Sequence, residues 1–262
     1  MALRSAWQNL LTPARRADAR IGDDAWHRLL ASSRLFSRMH AGDRSRLRSL
    51  CGEFLVRKTF SAAGGHELDD TQCLAIAALA CLPVLELGID WLDGWHDVIV
   101  YPGGFRVRRT HHDEASGVVT EFDDDLIGEA WDRGPLVLSW ADIAADLASP
   151  FDGFNVVIHE VAHKLDMLDG VIDGVPRLPP SIDRAEWISI MQAAYDDLVR
   201  RIDSGEESAI DPYAGESVDE FFAVASELYH SDRACLAGSI PAVALLLDRF
   251  FAGTDIAQKP DR

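Results

Sequence analysis

The stretch VVIHEVAHKLDMLDG, residues 156–170, constrains this chain more than any other. His159 and His163 stand four apart, so on a helix they project from the same face, one turn from each other. Val156, Val157, Ile158, Val161, Ala162 and Leu165 supply apolar anchors that fix such a helix in a core. Two half-buried imidazoles flanking Glu160 are expensive there unless something pairs with them. The HExxH spacing offers a solution. Two imidazoles on one face can hold one tetrahedral zinc, and Glu160, one residue past the first of them, can reach a water on that metal as a general base without binding the metal. The plainer alternative is a helix with two satisfied histidines.

Two histidines do not close a zinc site, and three acids compete for the third position. Asp166 lies on the same helical face, but three ligands from one unbroken helix strain a tetrahedron, so it is better placed as an acceptor for a ligand histidine's N–H. Asp169 would extend the pattern as metzincins do, although those have glycine at the position of Asp166 to let the chain turn sharply. Glu220 stands in DPYAGESVDEFFAVASELYHSD, residues 211–232, where Ser217 and Glu220 form an SxxE capping box ahead of Phe221, Phe222, Val224, Ala225 and Leu228. Glu227, seven residues on, returns to the face of Glu220, and two aligned acids on an apolar helix want a cationic partner such as zinc or a ligand imidazole. From these residues alone Glu220 is equally a ligand or a cap, and Tyr213 is equally a site residue or a packed loop ring.

The rest of the chain narrows the class of protein. Its 262 residues can bury a substantial core, and a formal net charge of -18 opposes a partner held through phosphates, so direct nucleic-acid binding is not expected. Cys51, Cys73, Cys81 and Cys235 are scattered without a CxxC pair and read as reduced core residues. The N-terminal residues carry no apolar signal core, and the most apolar run, residues 73–89, contains Pro83 and Glu86 and falls short of a bilayer span. The expectation is a cytoplasmic protein with no membrane contact. The HHDE tract at residues 111–114 reads as a solvated loop, and His66, His96 and His230 as structural histidines.

Helical spacing runs through residues 1 to about 60, carried by Trp26, Leu29, Leu30, Leu35, Phe36, Leu47, Leu50 and Phe54. An Asp cap at residue 69 or 70 opens an alanine- and leucine-rich helix that ends at Pro83 and should be buried nearly all round. From Asp97 the texture is that of strands: DVIVYP and GFRVRRT as a hairpin, residues 117–122, and GPLVLSW at residues 134–140. A helix from about Asn155 carries the motif, and residues 186–202 form an amphipathic helix with Trp187, Ile190, Met191, Ala194 and Leu198 on one side. Helices around a small central block of strands make an α+β fold with a small mixed sheet. The chain is expected to be one domain, residues 1–262, with a helical N-terminal portion to about 65 and a catalytic core at about 70–250.

HEVAHKLDMLDG, followed after a long gap by Tyr213 and then by Glu220 in EFFAVASE, resembles the Mlc titration factor A family of zinc peptidases. It is also similar to the catalytic domain of anthrax lethal factor, whose motif helix is followed by a similarly spaced tyrosine and glutamate. The likeness to the titration factor family extends to VIVYP and GEAWDRGPLVLSWAD and covers most of the chain from about Asp70 onward. The resemblance implies a zincin-like fold and a gluzincin-type site. In it one Zn2+ per chain is bound by His159, His163 and Glu220, with Glu160 as base and Tyr213 beside the metal as oxyanion donor. It further implies aminopeptidase activity on short peptides, with the strand at Leu136 to Ser139 as the edge along which a peptide lies. The family name also implies a second role, capture of a transcriptional repressor of sugar uptake.

Overall fold

The computed structural model describes residues 21–103 and 134–252. The described residues open with helices α1 (Asp23–Ser32), α2 (Arg34–Ser37) and α3 (Ala41–Arg57). Trp26, Leu29, Phe36, Leu47 and Phe54 are buried, as their spacing requires. Strand β1 (Thr59–Ala62) follows immediately, at the end of the stretch expected to be helical to about residue 60. Its alternation of four residues is too short to declare a strand, and what makes it one is its parallel pairing with β2 (Asp97–Tyr101), Thr59 opposite Asp97 and Ala62 opposite Val100. Between them runs α4 (Asp70–Cys81), capped by Asp69 in a reciprocal box with Gln72 and buried at every position from Leu74 to Cys81. Its many alanines let α3 and the motif helix approach closely.

Strand β3 (Leu136–Ser139) pairs in parallel with β2, giving the order β1-β2-β3, with Val98 opposite Leu136 and Val100 opposite Leu138. These four side chains alternate onto the buried face. The described strands are therefore all parallel rather than mixed, and β3 is an edge strand among them. The second arm of the expected hairpin, the strand at 117–122 and the HHDE tract lie outside the described residues.

From β3 the chain enters α5 (Trp140–Ala148) and then α6 (Val156–Asp166), the motif helix. The long α7 (Arg184–Ser204), α8 (Val218–Ser231), α9 (Arg233–Ser239) and α10 (Pro241–Ala252) complete the described chain. On α7, Trp187, Met191 and Leu198 are buried, whereas Ile190 and Ala194 are only partly covered. α8 packs most extensively against α6. It is held from behind by an edge-to-face aromatic cluster in which Trp187 lies 5.8 Å from Phe222 and 5.2 Å from Phe250, ring centre to ring centre. Each such pair adds about 0.5–1.5 kcal/mol beyond its burial, so α8 is a stiff platform. No described helix is long and apolar enough to cross a membrane. All four cysteines are free thiols, Cys51 and Cys81 buried, Cys73 and Cys235 partly so.

Candidate metal centre

The site is built where α6 crosses α8. Val157, Ile158, Val161, Ala162 and Leu165 bury three sides of α6, which leaves His159, Glu160 and His163 facing its partner helix and the remaining opening. The entry of α6 is satisfied group by group. Asn155 accepts from the Ile158 N–H at 3.0 Å, the buried Asp146 carboxylate from the Val156 N–H at 2.8 Å, and Glu227 Oε2 from the Asn155 N–H at 2.6 Å. Lys164 donates to the Gly134 carbonyl at 2.9 Å, which ties the chain entering β3 to the back of α6.

Three ligand-type atoms meet at one point. His159 Nε2 and His163 Nε2 are 3.2 Å apart, and Glu220 Oε2 lies 3.1 Å from the first and 3.3 Å from the second. Ligands about 2.0–2.1 Å from a tetrahedral zinc stand about 3.3–3.4 Å from one another, so this triangle has the dimensions of one face of such a site. His163 and Glu220 are 1% and 4% exposed, and Glu220 Oε2 is buried with no properly oriented hydrogen bond. A buried carboxylate oxygen left without a donor, facing two imidazole nitrogens, is the arrangement a cation resolves. Among the described residues these three form the one group of His, Cys, Asp and Glu side chains close enough to hold a metal ion.

The electrostatics agree with that arrangement. Burial opposes charge on His159, but the Glu220 and Glu227 carboxylates outweigh it and push the imidazole up to about 10. Burial likewise opposes ionisation of Glu220, and the two imidazoles overcome it, holding this carboxyl well below the ordinary carboxylate range. The local field thus favours positive charge between the helices.

The two readings of Glu220 separate here. Ser217 does cap α8, accepting from the Glu220 N–H at 3.4 Å, but the reciprocal half of the box is not made, because the Glu220 carboxylate is turned to the histidines. The rival acids lie elsewhere. Asp169 accepts from the Val171 N–H and faces Arg184 at 3.6 Å. Asp166, expected to receive a histidine N–H, instead accepts from the Gly174 N–H at 2.9 Å, since its position on α6 points it at the loop after the helix. Tyr213 lies in a 3-10 turn, Pro212–Gly215, with its ring centre 6.1 Å from that of His159, and Glu160 is partly buried beside the cluster.

Sequence reasoning paired Glu227 with Glu220, and Glu227 Oε1 lies 2.7 Å from His159 Nδ1. It missed Asp219, 3.8 Å from His163 Nδ1, and the part played by Asp146 and Asn155 at the helix entry. For Asp219 the available signal was adjacency to Glu220. For Asp146 there was none, because only folding brings α5 against α6. His66, His96 and His230 stand apart from the cluster. His66 stacks on Trp140, His96 is exposed, and burial against Tyr229 and Phe251 lowers His230 to about 3.

The comparison with known proteins accords with this geometry. Residues 7–252 match the model of the glucose-regulated metallo-peptidase family M90. That match begins well before the point from which the motifs carried the resemblance. The chain is 40% identical over 224 residues to Mlc titration factor A of Salmonella schwarzengrund (strain CVM19633), covering 84% of this chain and 83% of that protein. Mlc titration factor A of Salmonella typhimurium (strain LT2) is similar at the same identity and coverage. With a metal-sized cluster of two histidines and a glutamate on a matching sequence of this extent, the chain belongs to the M90 family of metallopeptidases, in the company of the Mlc titration factors A.

Proposed function

We propose that this chain is a zinc-dependent peptidase of the gluzincin type, a single cytoplasmic domain of zincin-like fold that acts as an aminopeptidase on short peptides. The observation that carries the reading is the convergence of His159 Nε2, His163 Nε2 and Glu220 Oε2 at mutual distances of 3.1–3.3 Å. His159, His163 and Glu220 would hold one zinc ion. When bound, zinc supplies Lewis acidity, polarising the scissile carbonyl and making an attacking water more acidic. Glu160 takes the proton from that water as it attacks and passes it to the leaving amine. The Tyr213 hydroxyl donates a hydrogen bond to the carbonyl oxygen as it gathers negative charge. The edge of β3 offers backbone groups to an extended peptide, which gives affinity with little sequence preference.

Metal analysis of the protein and of Glu220→Ala and Asp169→Ala tests the assignment. The expected result is about one zinc per chain in the wild type and in Asp169→Ala, and far less in Glu220→Ala. Glu160→Gln should keep its zinc and lose peptide hydrolysis. Zinc retained by Glu220→Ala, or none bound by a folded wild type supplied with zinc, would overturn the reading.

A second reading draws on the name of the similar proteins, which are titration factors for Mlc. Here the chain captures a transcriptional repressor of sugar uptake through its surface, with or without hydrolysis. Glu160→Gln separates the two. Repressor capture that survives loss of hydrolysis makes them independent activities, and a zinc-loaded protein with no hydrolysis of any peptide leaves capture as the function.

A further inference from the structure

Glu227 occupies a position that no ordinary core glutamate needs. It is 6% exposed on the face of α8 against α6, and its two oxygens serve two separate donors. Oε2 accepts from the Asn155 backbone N–H at 2.6 Å, and Oε1 lies 2.7 Å from His159 Nδ1. An ionised carboxylate can only accept, so Nδ1 of His159 must carry the hydrogen. In the neutral ring the lone pair then belongs to Nε2, the atom that faces Glu220 Oε2 and His163 Nε2. One side chain therefore sets both the start of α6 and the tautomer of its first histidine. His163 is treated differently. Its Nδ1 is buried without a hydrogen-bond partner, and the nearest carboxylate oxygen, on Asp219, is 3.8 Å away, too far for a hydrogen bond.

We propose that Glu227 is a positioning residue of the metal centre, orienting His159 and holding it in the Nδ1–H tautomer, so that α8 supplies both Glu220 as a ligand and the carboxylate that prepares another ligand. This rests on the zinc reading of the site. The near-isosteric change Glu227→Gln addresses it directly. Glutamine offers one acceptor and one donor to two facing donors, so keeping the Asn155 bond turns its NH2 toward His159 Nδ1. That favours the other tautomer and places a proton on Nε2, where a metal would bind.

The test is zinc affinity, by competition with a chromogenic chelator, together with thermal melting of the metal-free proteins. Asp146→Ala is the control for a merely structural role. It removes the carboxylate that receives the next N–H of the same helix end, Val156, whereas the carboxylates paired with the two imidazoles are those of Glu220, Glu227 and Asp219. Glu227→Gln is expected to bind zinc about 10–100-fold more weakly than wild type. Asp146→Ala is expected to melt lower yet bind zinc within about twofold of wild type. Zinc affinity of a folded Glu227→Gln within about twofold of wild type would overturn the inference, as would equal losses of affinity in both variants. If Glu227→Gln does not fold, nitrogen–proton correlation of the imidazoles in zinc-loaded wild type decides, since a His159 Nδ1–H resonance well downfield of that of His163, as a short bond to a carboxylate demands, supports it, and one at or upfield of it overturns it. A wild type that binds no zinc would overturn the metal reading itself, whereas a zinc-loaded wild type with an unaffected Glu227→Gln defeats this inference alone.

Discussion

Gly174 offers a sharp check on how the loop after α6 is docked against the platform of α8. Its φ is +71°, and a Cβ there would stand 2.5 Å from the Val218 carbonyl oxygen, where side-chain carbons do not come within 3.0 Å. Backbone faces backbone at this point, so relief requires a shift of about half an ångström or more between the loop and the first turn of α8. Two buried hydrogen bonds converge on the same residue, the Gly174 N–H to Asp166 Oδ2 and the Trp187 indole N–H to the Gly174 carbonyl, both at 2.9 Å. The left-handed conformation adds about 1–2 kcal/mol for alanine. Loss of one of the two bonds adds about 1–3 kcal/mol. The stiffer unfolded chain returns about 0.4–1 kcal/mol. Gly174→Ala should therefore destabilise by about 1–5 kcal/mol, a fall in Tm of about 2–18 °C for a chain of this size. Gly205 provides the comparison, because its φ is also +71° and nothing lies within 4 Å of its added carbon, so Gly205→Ala should show the conformational contribution alone. The assay is urea denaturation followed by circular dichroism, with thermal melts alongside. Equal effects of the two substitutions would refute the close-approach argument. Because Val218 lies two residues before Glu220, Gly174→Ala should also weaken zinc binding, and Gly205→Ala should not.

Asp166 carries a pH signature. Burial raises its pKa to about 7, so between the unfolded value near 4 and the folded value the native state binds more protons than the unfolded chain. The contribution of Asp166 to stability therefore grows as pH falls from about 7 to 4 and is lost as pH rises through 7. Asp166→Asn should melt closer to wild type, or above it, at pH 8 than at pH 5. A difference that does not vary with pH would contradict this. At the site, Tyr213→Phe should retain zinc and lower kcat by about 10²–10³, the range for loss of one oxyanion donor. A kcat within twofold of wild type would remove Tyr213 from the mechanism.

Local order in the chain is enough to specify several elements and half of the site. The Asp69 cap and the alanine-rich run after it determine a helix ending at Cys81, and the apolar pattern around HEVAH determines a buried helix that presents two histidines on one side. These features are legible because capping and helical periodicity act over a few neighbouring residues. Strand β1 was not legible, because an alternation of only four residues becomes a strand only when β2 lies beside it. The choice among Asp166, Asp169 and Glu220 was likewise tertiary. All three are acids at admissible spacings, and only the packing of α8 across α6 brings Glu220 to the imidazoles while Asp166 turns to Gly174 and Asp169 to Arg184. The same crossing turns Glu227 from an aligned acid into the partner of a particular nitrogen of His159. A sequence can state which side chains need a partner, because burying a charge alone is costly wherever it occurs. For Glu220 and Glu227 the partners lie 57 to 72 positions away in the chain, and those contacts exist only once α8 has docked on α6.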